Sequence, residues 1–428
     1  PHAPYRQSER KSIYRSEAQK LLDQGDAYYA FDTEEELETM RKSSPNAQYD
    51  ASTRMKMRNS LTLSKEEVNK KLSSGEKFVI RLKVPEKQEI HLDDLIRGHV
   101  VFDSSIVDDK VLMKSDGMPT YHLANVVDDH YMDISHVIRG EEWLPSAPLH
   151  LLLYKFFGWE NTMPQFAHLP LLLKPDGNGK LSKRDADKAG FPIFPLNWTD
   201  PKTGELAKGF RENGYLPEAM VNFLAFLGWN PGTEQEIFSM EQLIEAFTIE
   251  RIGKAGARFD IQKAQWFNQQ YLRAKSDDEL ATYLGRSLDE QKIECSADKV
   301  KKIVAIMKER VTFPNDFWEQ GKFFFVAPAS FDMQLVAKKW NDDTVKVLSA
   351  YRDALKGIED VTAEKAKNTL EQVTASLGIK TGQILQMLRM VVTGGASGPD
   401  LMVTIEILGA NEVVNRIGYA LNTLKVKV

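Results

Sequence analysis

The sequence lacks the features that mark secreted, membrane and zinc-thiolate proteins. Cys295 is the only cysteine in 428 residues, which excludes an intramolecular disulfide framework and any structural zinc site built from several thiolates. No apolar run is long enough to cross a membrane, and residues 1–15 are polar and basic without the apolar middle of a signal peptide. We therefore expect a cytoplasmic protein without a membrane segment.

The chain also lacks a strong excess of charge of one sign. The formal net charge of -5 neither favours nor excludes a nucleic-acid partner, because such binding needs a local basic face rather than a basic total. Hydrophobic residues make up 42% and charged residues 27% of the chain, an ordinary globular composition. A chain of 428 residues exceeds what one hydrophobic core usually organises, so several domains are expected.

The two halves of the chain differ in hydrophobic period. The first half alternates strand patterns with a helix, which is typical of a parallel α/β sheet. The strand patterns cover 77–84, 109–115, 134–140 and 166–174, and the helix is predicted over 146–157. From Pro217 onward long helical periods dominate, whereas residues 188–208 are rich in Pro, Gly and Asn and predict a surface insertion.

The segment 171–188, LLLKPDGNGKLSKRDADK, joins an apolar strand to a glycine-containing turn followed by three cations, Lys180, Lys183 and Arg184. Glycines let backbone N–H groups approach phosphate, and closely spaced cations neutralise the charge on a leaving pyrophosphate. The pattern therefore predicts a phosphate-handling loop, although a solvated hairpin explains the same letters.

Two other nucleotide motifs overlap this segment. A Walker A loop is excluded, because Leu181 stands where Ser or Thr is needed after Gly179-Lys180. Lys174-Pro-Asp-Gly also spells the Lys-x-Asp-Gly of nucleotidyl-transferring ligases, whose lysine is a nucleophile. A Pro-Asp-Gly turn gives the same letters for conformational reasons alone.

A group of acids and imidazoles between 128 and 136 overlaps the start of the strand pattern at 134–140, and its ligand types suit a divalent metal centre and hence a hydrolase. The alternative is a polar loop, between a helix ending near Val127 and a strand starting near Ile134, whose acids cap the helix or pair with Arg139. The group consists of Asp128, Asp129, His130, Asp133 and His136.

Arg139 ends an apolar strand pattern, a position that suits an anion-binding guanidinium at a sheet edge. Tyr121 and Asn125 are four residues apart, so a helix would place them on one face, where they could offer a hydroxyl and an amide to a small ligand. Packing and surface roles explain either feature equally well.

Taken together and in order, these segments resemble the glutamyl-tRNA synthetase family of class I aminoacyl-tRNA synthetases. The likeness extends over nearly the whole chain and is most specific over 103–184. The matching stretches are PYRQSERKSIYR at 4–15, TRMKMRNSL at 53–61, residues 103–144, FAHLPLLLKPDGNGKLSKR at 166–184 and GYLPEAMVNFLAFLGW at 214–229.

The resemblance implies a role for each matching residue. Lys180-Leu181-Ser182-Lys183-Arg184 is similar to the family's second signature, whose lysines bind ATP phosphates. By the same likeness, Lys183 is the principal phosphate ligand, and Glu142 and Leu172 contact ATP. The glutamate contacts implied are Tyr121, Asn125 and Arg139.

The resemblance also implies a domain order and a reaction. A Rossmann-like catalytic region with an acceptor-binding insertion at about 20–120 occupies 1–187, and the surface insertion at 188–208 follows it. A helical stem-contact region then covers 209–325, and an all-helical anticodon-binding domain covers 326–428. The implied activity is formation of glutamyl adenylate from ATP with Mg²⁺, followed by transfer of glutamate to tRNA(Glu) by a monomeric enzyme.

The sequence departs from the family pattern in three places, one of which is the insertion at 188–208 that the commoner, shorter form of the family lacks. The first signature, His-Ile-Gly-His or a close variant, is expected before PYRQSER, so a non-catalytic tRNA-binding fragment is the alternative function. Zinc-containing relatives place Cys-x-Cys where this chain has Ala30-Phe31-Asp32, so no zinc is expected. Glutaminyl-tRNA synthetases, which end in β-barrels, and the short glutamyl-queuosine enzymes fit the helical second half less well.

Overall fold

A computed structural model of the chain describes residues 2–43, 47–182 and 191–424. Its contacts divide into two compact units. The first comprises Pro1–Leu181, Phe226–Glu234 and Glu245–Phe259, and the second comprises Ser182–Ala225, Gln235–Ile244 and Asp260–Val428.

The first unit mixes strands and helices. Its helices are α1 (Lys11–Gln24), α2 (Glu34–Lys42), α3 (Lys65–Ser73), α4 (Tyr121–Tyr131) and α5 (Ala147–Phe156). Its strands are β1 (Ala27–Ala30), β2 (Val79–Leu82), β3 (Glu89–Asp94), β4 (Gly98–Asp103), β5 (Val111–Met113), β6 (His136–Gly140), β7 (Gln165–Leu169), β8 (Leu172–Leu173) and β11 (Ala257–Arg258). The four predicted strand regions and the predicted helix over 146–157 are therefore confirmed.

The strands form sheets of mixed direction rather than one parallel sheet. β1, β2 and β5 are antiparallel neighbours. A second sheet has the order β4-β3-β7-β6, in which β6 and β7 run parallel with α5 as their crossover. β3 joins β7 in parallel at Asp94 and Phe166, while β3 and β4 form an antiparallel hairpin. The carboxyl ends of β3, β6 and β7 therefore lie along one edge, where α/β folds place ligands.

One hydrophobic core holds these layers together. It consists of the apolar faces of α1, α4 and α5 packed with residues from the strands, and Phe166 of β7 is among its largest fully buried side chains. Burial of such side chains stabilises a fold by about 1.5–3 kcal/mol each. This packing fixes the start of α4 relative to the ends of β6 and β7.

Helix α4 is longer than the sequence predicted. The helix expected to end near Val127 continues to Tyr131, so Asp128, Asp129 and His130 are helical rather than part of a loop. The reason is tertiary: Asp128 accepts from Arg10 Nε at 2.7 Å and from the Tyr14 hydroxyl at 2.8 Å. These bonds from α1 and its N-cap residue compensate for the poor helix propensity of consecutive aspartates.

The second unit is mainly helical, as predicted. Its helices are α6 (Pro217–Ala225), α7 (Met240–Ala246), α8 (Ile261–Ala274), α9 (Asp277–Gln291), α10 (Ala297–Met307), α11 (Asp316–Glu319), α12 (Met333–Lys339), α13 (Asp342–Leu355), α14 (Ala363–Ser376), α15 (Thr381–Thr393), α16 (Leu401–Leu408) and α17 (Ala410–Thr423). Helix α7 extends two residues beyond Ile244, where this stretch of the second unit ends. The last six helices share one buried apolar cluster. No helix in the described parts of the chain has the length and apolar character needed to cross a membrane.

The segment predicted as a surface insertion is only partly described, because residues 183–190 fall outside the described ranges. Within the rest, β9 (Trp198–Thr199) and β10 (Leu206–Ala207) form a small antiparallel hairpin. Trp198 and Leu206 are exposed. The role of residues 188–208 as a surface insertion stays a prediction.

Candidate active site

Arg139 lies at the end of β6, and its guanidinium is held by uncharged groups. Its Nε donates to His168 Nε2 at 3.1 Å and its Nη1 donates to the Tyr121 hydroxyl at 3.1 Å. Nη1 also lies 3.4 Å from His150 Nδ1. Nη2 is buried, and no hydrogen-bond partner for it exists among residues 2–43, 47–182 and 191–424. The guanidinium therefore has donor capacity available for an anion.

The acids that could have paired with Arg139 bind elsewhere. Asp128 pairs with Arg10 at 2.7 Å, and the carboxylate of Asp133 lies 3.8 Å from His2. Asp129 accepts from the Asn125 amide at 3.0 Å. The interpretation that Arg139 serves only to pair with this group is wrong.

Helix α4 presents Tyr121 and Asn125 one turn apart, as the spacing predicted. The Tyr121 hydroxyl contacts Arg139, and the Tyr121 ring is 41% exposed and lies 4.8 Å from the Trp143 ring between centroids. The Asn125 amide instead donates to Asp129. The structure thus brings two of the three predicted glutamate contacts into direct contact and places the third on the same helix.

Burial perturbs the pKa of Asp129, which lies below Asn125 on α4. Burial and the neighbouring Asp128 carboxylate raise this pKa to about 6, although the positive charge of Arg139 opposes the shift. A carboxyl group with this pKa changes charge close to neutral pH.

Three histidines and an aspartate complete the surroundings of Arg139, and the sequence did not single them out. His150 Nε2 lies 3.1 Å from His122 Nδ1. Burial, followed by the charge of Arg139, holds the pKa of His150 well below its usual value, and burial lowers that of His122 to about 4. Both imidazoles are therefore neutral near pH 7. His168, the third, contacts Asp94 behind the guanidinium.

The turn before the signature is built on glycine conformation. Gly177 and Gly179 have φ of +81° and +82°, values that favour glycine. The Lys174 N–H donates to the Gly179 carbonyl at 3.1 Å and the Gly177 N–H donates to the Lys174 carbonyl at 2.8 Å. Asp176 accepts from the Asn178 N–H at 2.9 Å. These hydrogen bonds show that Lys174-Pro-Asp-Gly forms a turn, which explains these four residues by conformation alone.

Three of the predicted ATP contacts lie together beside this turn. Lys180 Nζ donates to Glu142 Oε1 at 2.7 Å, and the Leu181 N–H donates to the Leu172 carbonyl at 2.8 Å. Hydrogen bonding and the charge of Lys180 lower the pKa of Glu142, which is thus a carboxylate. Ser182 is the last described residue here, and the predicted contacts Lys183 and Arg184 lie outside the described residues.

Arg97 connects the surroundings of Arg139 to the strand that carries Leu172. Its Nε donates to the His168 carbonyl at 3.1 Å, and its Nη2 lies 2.6 Å from Glu141 Oε2. The other oxygen of Glu141 accepts from the Leu171 N–H at 3.1 Å. The predicted glutamate and ATP contacts are therefore linked through the hydrogen bonds of Arg97 Nε and Glu141 Oε1 and the ion pair between Arg97 and Glu141.

The acids and imidazoles between 128 and 136 do not converge on a metal position. His130 stacks on Trp159 with ring centroids 3.7 Å apart, while His136 contacts Ser135. Asp128 and Asp129 bind different partners on α1 and α4. Within the described ranges no group of three His, Cys, Asp or Glu side chains is arranged to hold a metal ion. The geometry thus gives no support to the metal-dependent hydrolase.

Comparison with known proteins gives matches over the length of the chain. Residues 1–266 match the family "tRNA synthetases class I (E and Q), catalytic domain", and residues 272–421 match "Anticodon binding domain". The chain is 58% identical over 436 aligned residues to a glutamate–tRNA ligase of Cytophaga hutchinsonii, covering 100% of this chain and 84% of the relative. It is 54% identical to a glutamate–tRNA ligase of Amoebophilus asiaticus, covering 99% and 84%.

A solved structure has the same fold. It is a glutamate tRNA ligase from Elizabethkingia meningosepticum, described as in complex with its amino acid. The TM-score is 0.94 at 46% sequence identity, covering 99% of this chain and 85% of that one.

Proposed function

The chain belongs to the glutamate–tRNA ligases of the class I tRNA synthetases, and from this premise we propose that it activates glutamate with ATP and loads it onto tRNA(Glu). The observation that carries the substrate assignment is the guanidinium of Arg139, whose contacts are uncharged and whose Nη2 is buried without a described partner. A guanidinium of this kind forms its strongest hydrogen bonds with a carboxylate, which accepts two parallel N–H bonds.

Glutamate is positioned in this proposal by three side chains. Arg139 binds the carboxylate at the amino-acid end, while Tyr121 and Asn125 help to recognise the side chain. His122 and His150 are neutral and add no positive charge, so in this proposal the attraction for a carboxylate comes from Arg139. The amino-acid complex of the Elizabethkingia meningosepticum ligase supports a ligand of this kind.

The reaction needs positioning and charge stabilisation rather than a covalent enzyme intermediate. A glutamate carboxylate oxygen attacks the α-phosphorus of ATP, and the bond to the bridging oxygen of pyrophosphate breaks. The resulting glutamyl adenylate is then attacked by a terminal ribose hydroxyl of tRNA, which forms the ester and releases AMP. Lys180 and Lys183 stabilise the charge that grows on the leaving pyrophosphate, and Leu172 and Glu142 help to seat ATP.

Magnesium is proposed as the companion of ATP rather than as a resident metal. Mg²⁺ bound to nucleotides keeps several waters and needs only one or two protein carboxylates, so the lack of a three-acid group in the described chain is compatible with it. Glu142 has the required oxygen chemistry beside Lys180. When bound, the ion offsets part of the phosphate charge.

The helical unit is proposed as the main binding surface for tRNA beyond its acceptor end. The match of residues 272–421 to an anticodon-binding domain supports this assignment. We further propose that the enzyme is a monomer and acts in the cytoplasm.

The test is charging of tRNA(Glu) by the purified protein in its natural full length, with radiolabelled glutamate, glutamine or aspartate. We expect ATP-dependent incorporation of glutamate alone. Binding of tRNA without any charging would favour the alternative of a non-catalytic tRNA-binding fragment, and charging with another amino acid would overturn the substrate assignment.

A further inference from the structure

A buried pair, Asp94 and His168, lies directly behind the guanidinium of Arg139. Both side chains are fully buried, and His168 Nδ1 lies 2.5 Å from Asp94 Oδ2. His168 Nε2, on the other side of the ring, accepts from Arg139 Nε at 3.1 Å. The three side chains form one chain of hydrogen bonds from the end of β3, through β7, to the end of β6.

The hydrogen bonds determine where the proton of His168 lies. Arg139 Nε carries a hydrogen and can only donate, so His168 Nε2 must be the unprotonated nitrogen. The proton of the neutral ring is then on Nδ1, where the Asp94 carboxylate accepts it. This assignment follows from the donor and acceptor chemistry of the partners rather than from observed hydrogens.

Asp94 is itself held as a carboxylate. Its Oδ1 accepts from the backbone N–H groups of Ile96 at 3.0 Å and Arg97 at 2.8 Å. Burial works against ionisation, but the hydrogen bond from His168 and those from the backbone outweigh it and hold the pKa of Asp94 at about 2. The acceptor for the His168 proton is therefore fixed in place and in charge.

We propose that Asp94 and His168 are positioning residues for substrate recognition: through one imidazole tautomer they fix Arg139 Nε, so that Nη2 and the adjacent edge of the guanidinium are presented to the substrate carboxylate. This inference rests on the proposed function, because it assumes that Arg139 binds glutamate. Neither residue contacts glutamate in this proposal, and both act through Arg139. A metal-bound histidine is oriented by the same kind of carboxylate partner, whereas here an arginine takes the place of the metal.

The proposal makes a specific prediction for Asp94→Asn. Because Oδ1 must accept from the backbone N–H groups of Ile96 and Arg97, the new amide nitrogen falls at the position of Oδ2, where it faces His168 Nδ1 and the backbone N–H of His168. That nitrogen donates, so the imidazole must move its proton to Nε2. Two N–H donors, Nε2 of His168 and Nε of Arg139, then face each other, and the guanidinium loses its orientation.

Two substitutions of His168 test the hydrogen bonds of its two ring nitrogens separately. Asn places its amide near Nδ1 and keeps the bond to Asp94, but it leaves nothing at Nε2 for Arg139. Gln is longer, and its carbonyl can reach the Nε2 position. We expect His168→Asn and Asp94→Asn to raise the KM for glutamate about 10- to 100-fold with the KM for ATP unchanged, and His168→Gln to recover most of the loss.

The experiment measures KM and kcat for both substrates in tRNA charging, together with direct glutamate binding by calorimetry and the melting temperature. His99→Asn, the same change at an exposed histidine of the β3–β4 hairpin, is the control and should leave every one of these values unchanged. A purely structural pair would lower the melting temperature while leaving the KM for glutamate at its wild-type value, which would overturn the proposal.

Nitrogen chemical shifts of His168 in the wild-type chain test the inference without any variant. We expect the proton on Nδ1, and a proton on Nε2 would overturn it. Wild-type protein that neither binds nor charges glutamate would instead contradict the proposed function. Wild-type protein that binds glutamate, with His168→Asn binding it equally, would contradict only the positioning role.

Discussion

Lys180 donates to Glu142 Oε1 at 2.7 Å, which joins the KLSKR signature to the short helical segment that follows Arg139. Both side chains are substantially exposed, at 55% for Lys180 and 38% for Glu142. An exposed ion pair of this kind contributes about 0–1 kcal/mol to stability. We therefore propose that this ion pair contributes to the arrangement of charges around ATP rather than to stability.

Replacing Lys180 tests this assignment. We expect Lys180→Ala to lower kcat for charging by about 100- to 1,000-fold, because a cation is lost where charge develops. The melting temperature should hardly change, and Lys202→Ala, at an exposed lysine of the β9–β10 turn, is the matched control. A variant with wild-type charging kinetics would remove Lys180 from the ATP site.

The signature lysine outside the described residues is predicted to matter more. Lys183→Ala should abolish charging while leaving tRNA binding nearly intact, because its cation is needed mainly in the transition state. Charging rates and filter binding of tRNA measure the two effects separately. Equal losses of both would indicate a tRNA contact instead of a phosphate contact.

Arg139→Gln is expected to raise the glutamate concentration needed for charging about 10- to 1,000-fold, because charge-assisted hydrogen bonds contribute about 1.5–3 kcal/mol each. The ATP requirement should stay the same. Arg139→Lys keeps the charge but lacks the planar fork, so it should recover only part of the loss. A destabilised protein with an unchanged glutamate requirement would show that Arg139 has only a structural role.

The raised pKa of Asp129 predicts that the free energy of unfolding depends on pH. Its pKa is raised to about 6 in the folded protein from an unfolded value of about 3.9, so the folded state binds the proton more tightly. The stability that this proton contributes is complete below about pH 4 and is lost as the pH rises through 6. Relative to wild type, Asp129→Asn should therefore gain about 1–2 kcal/mol between pH 4 and pH 7, after allowance for partial exposure.

Urea unfolding at several pH values measures this difference. Asp133→Asn, at an aspartate whose side chain is 83% exposed, provides the control. A difference between Asp129→Asn and wild type that is constant from pH 4 to pH 7 would contradict the perturbed pKa.

Removal of residues 326–428 should weaken tRNA binding and reduce its dependence on salt, because each lost phosphate contact removes about 0.7–0.9 from the slope of log K against log salt. The cut takes away the complete buried cluster of the last six helices. It also removes Arg416, which donates to the Phe323 carbonyl at 2.8 Å. Unchanged affinity and slope in filter binding would assign this helical region another role.

The residues that the sequence could predict are those with a local pattern. The strand at Val79–Leu82 and the helix with Tyr121 and Asn125 follow from hydrophobic period, and the turn at Gly177 follows from its glycines. The length of α4 did not follow, because consecutive aspartates disfavour a helix unless a distant partner such as Arg10 binds them.

The contacts behind Arg139 were missed for a different reason. Asp94 and His168 are 74 residues apart, and His168 lies in an apolar strand pattern where a single histidine is inconspicuous. Only the pairing of β3 with β7 brings the two side chains together. A buried hydrogen bond between strands that are distant in the sequence produces no hydrophobic period by which it could be predicted.

A crystal structure of the chain with bound glutamate tests the central claim most directly. We predict a glutamate carboxylate within hydrogen-bonding distance of the Arg139 guanidinium, with the Tyr121 hydroxyl beside it and the bond between Arg139 Nε and His168 Nε2 retained. Glutamate bound away from Arg139, or a guanidinium that leaves His168 in order to bind it, would contradict the account.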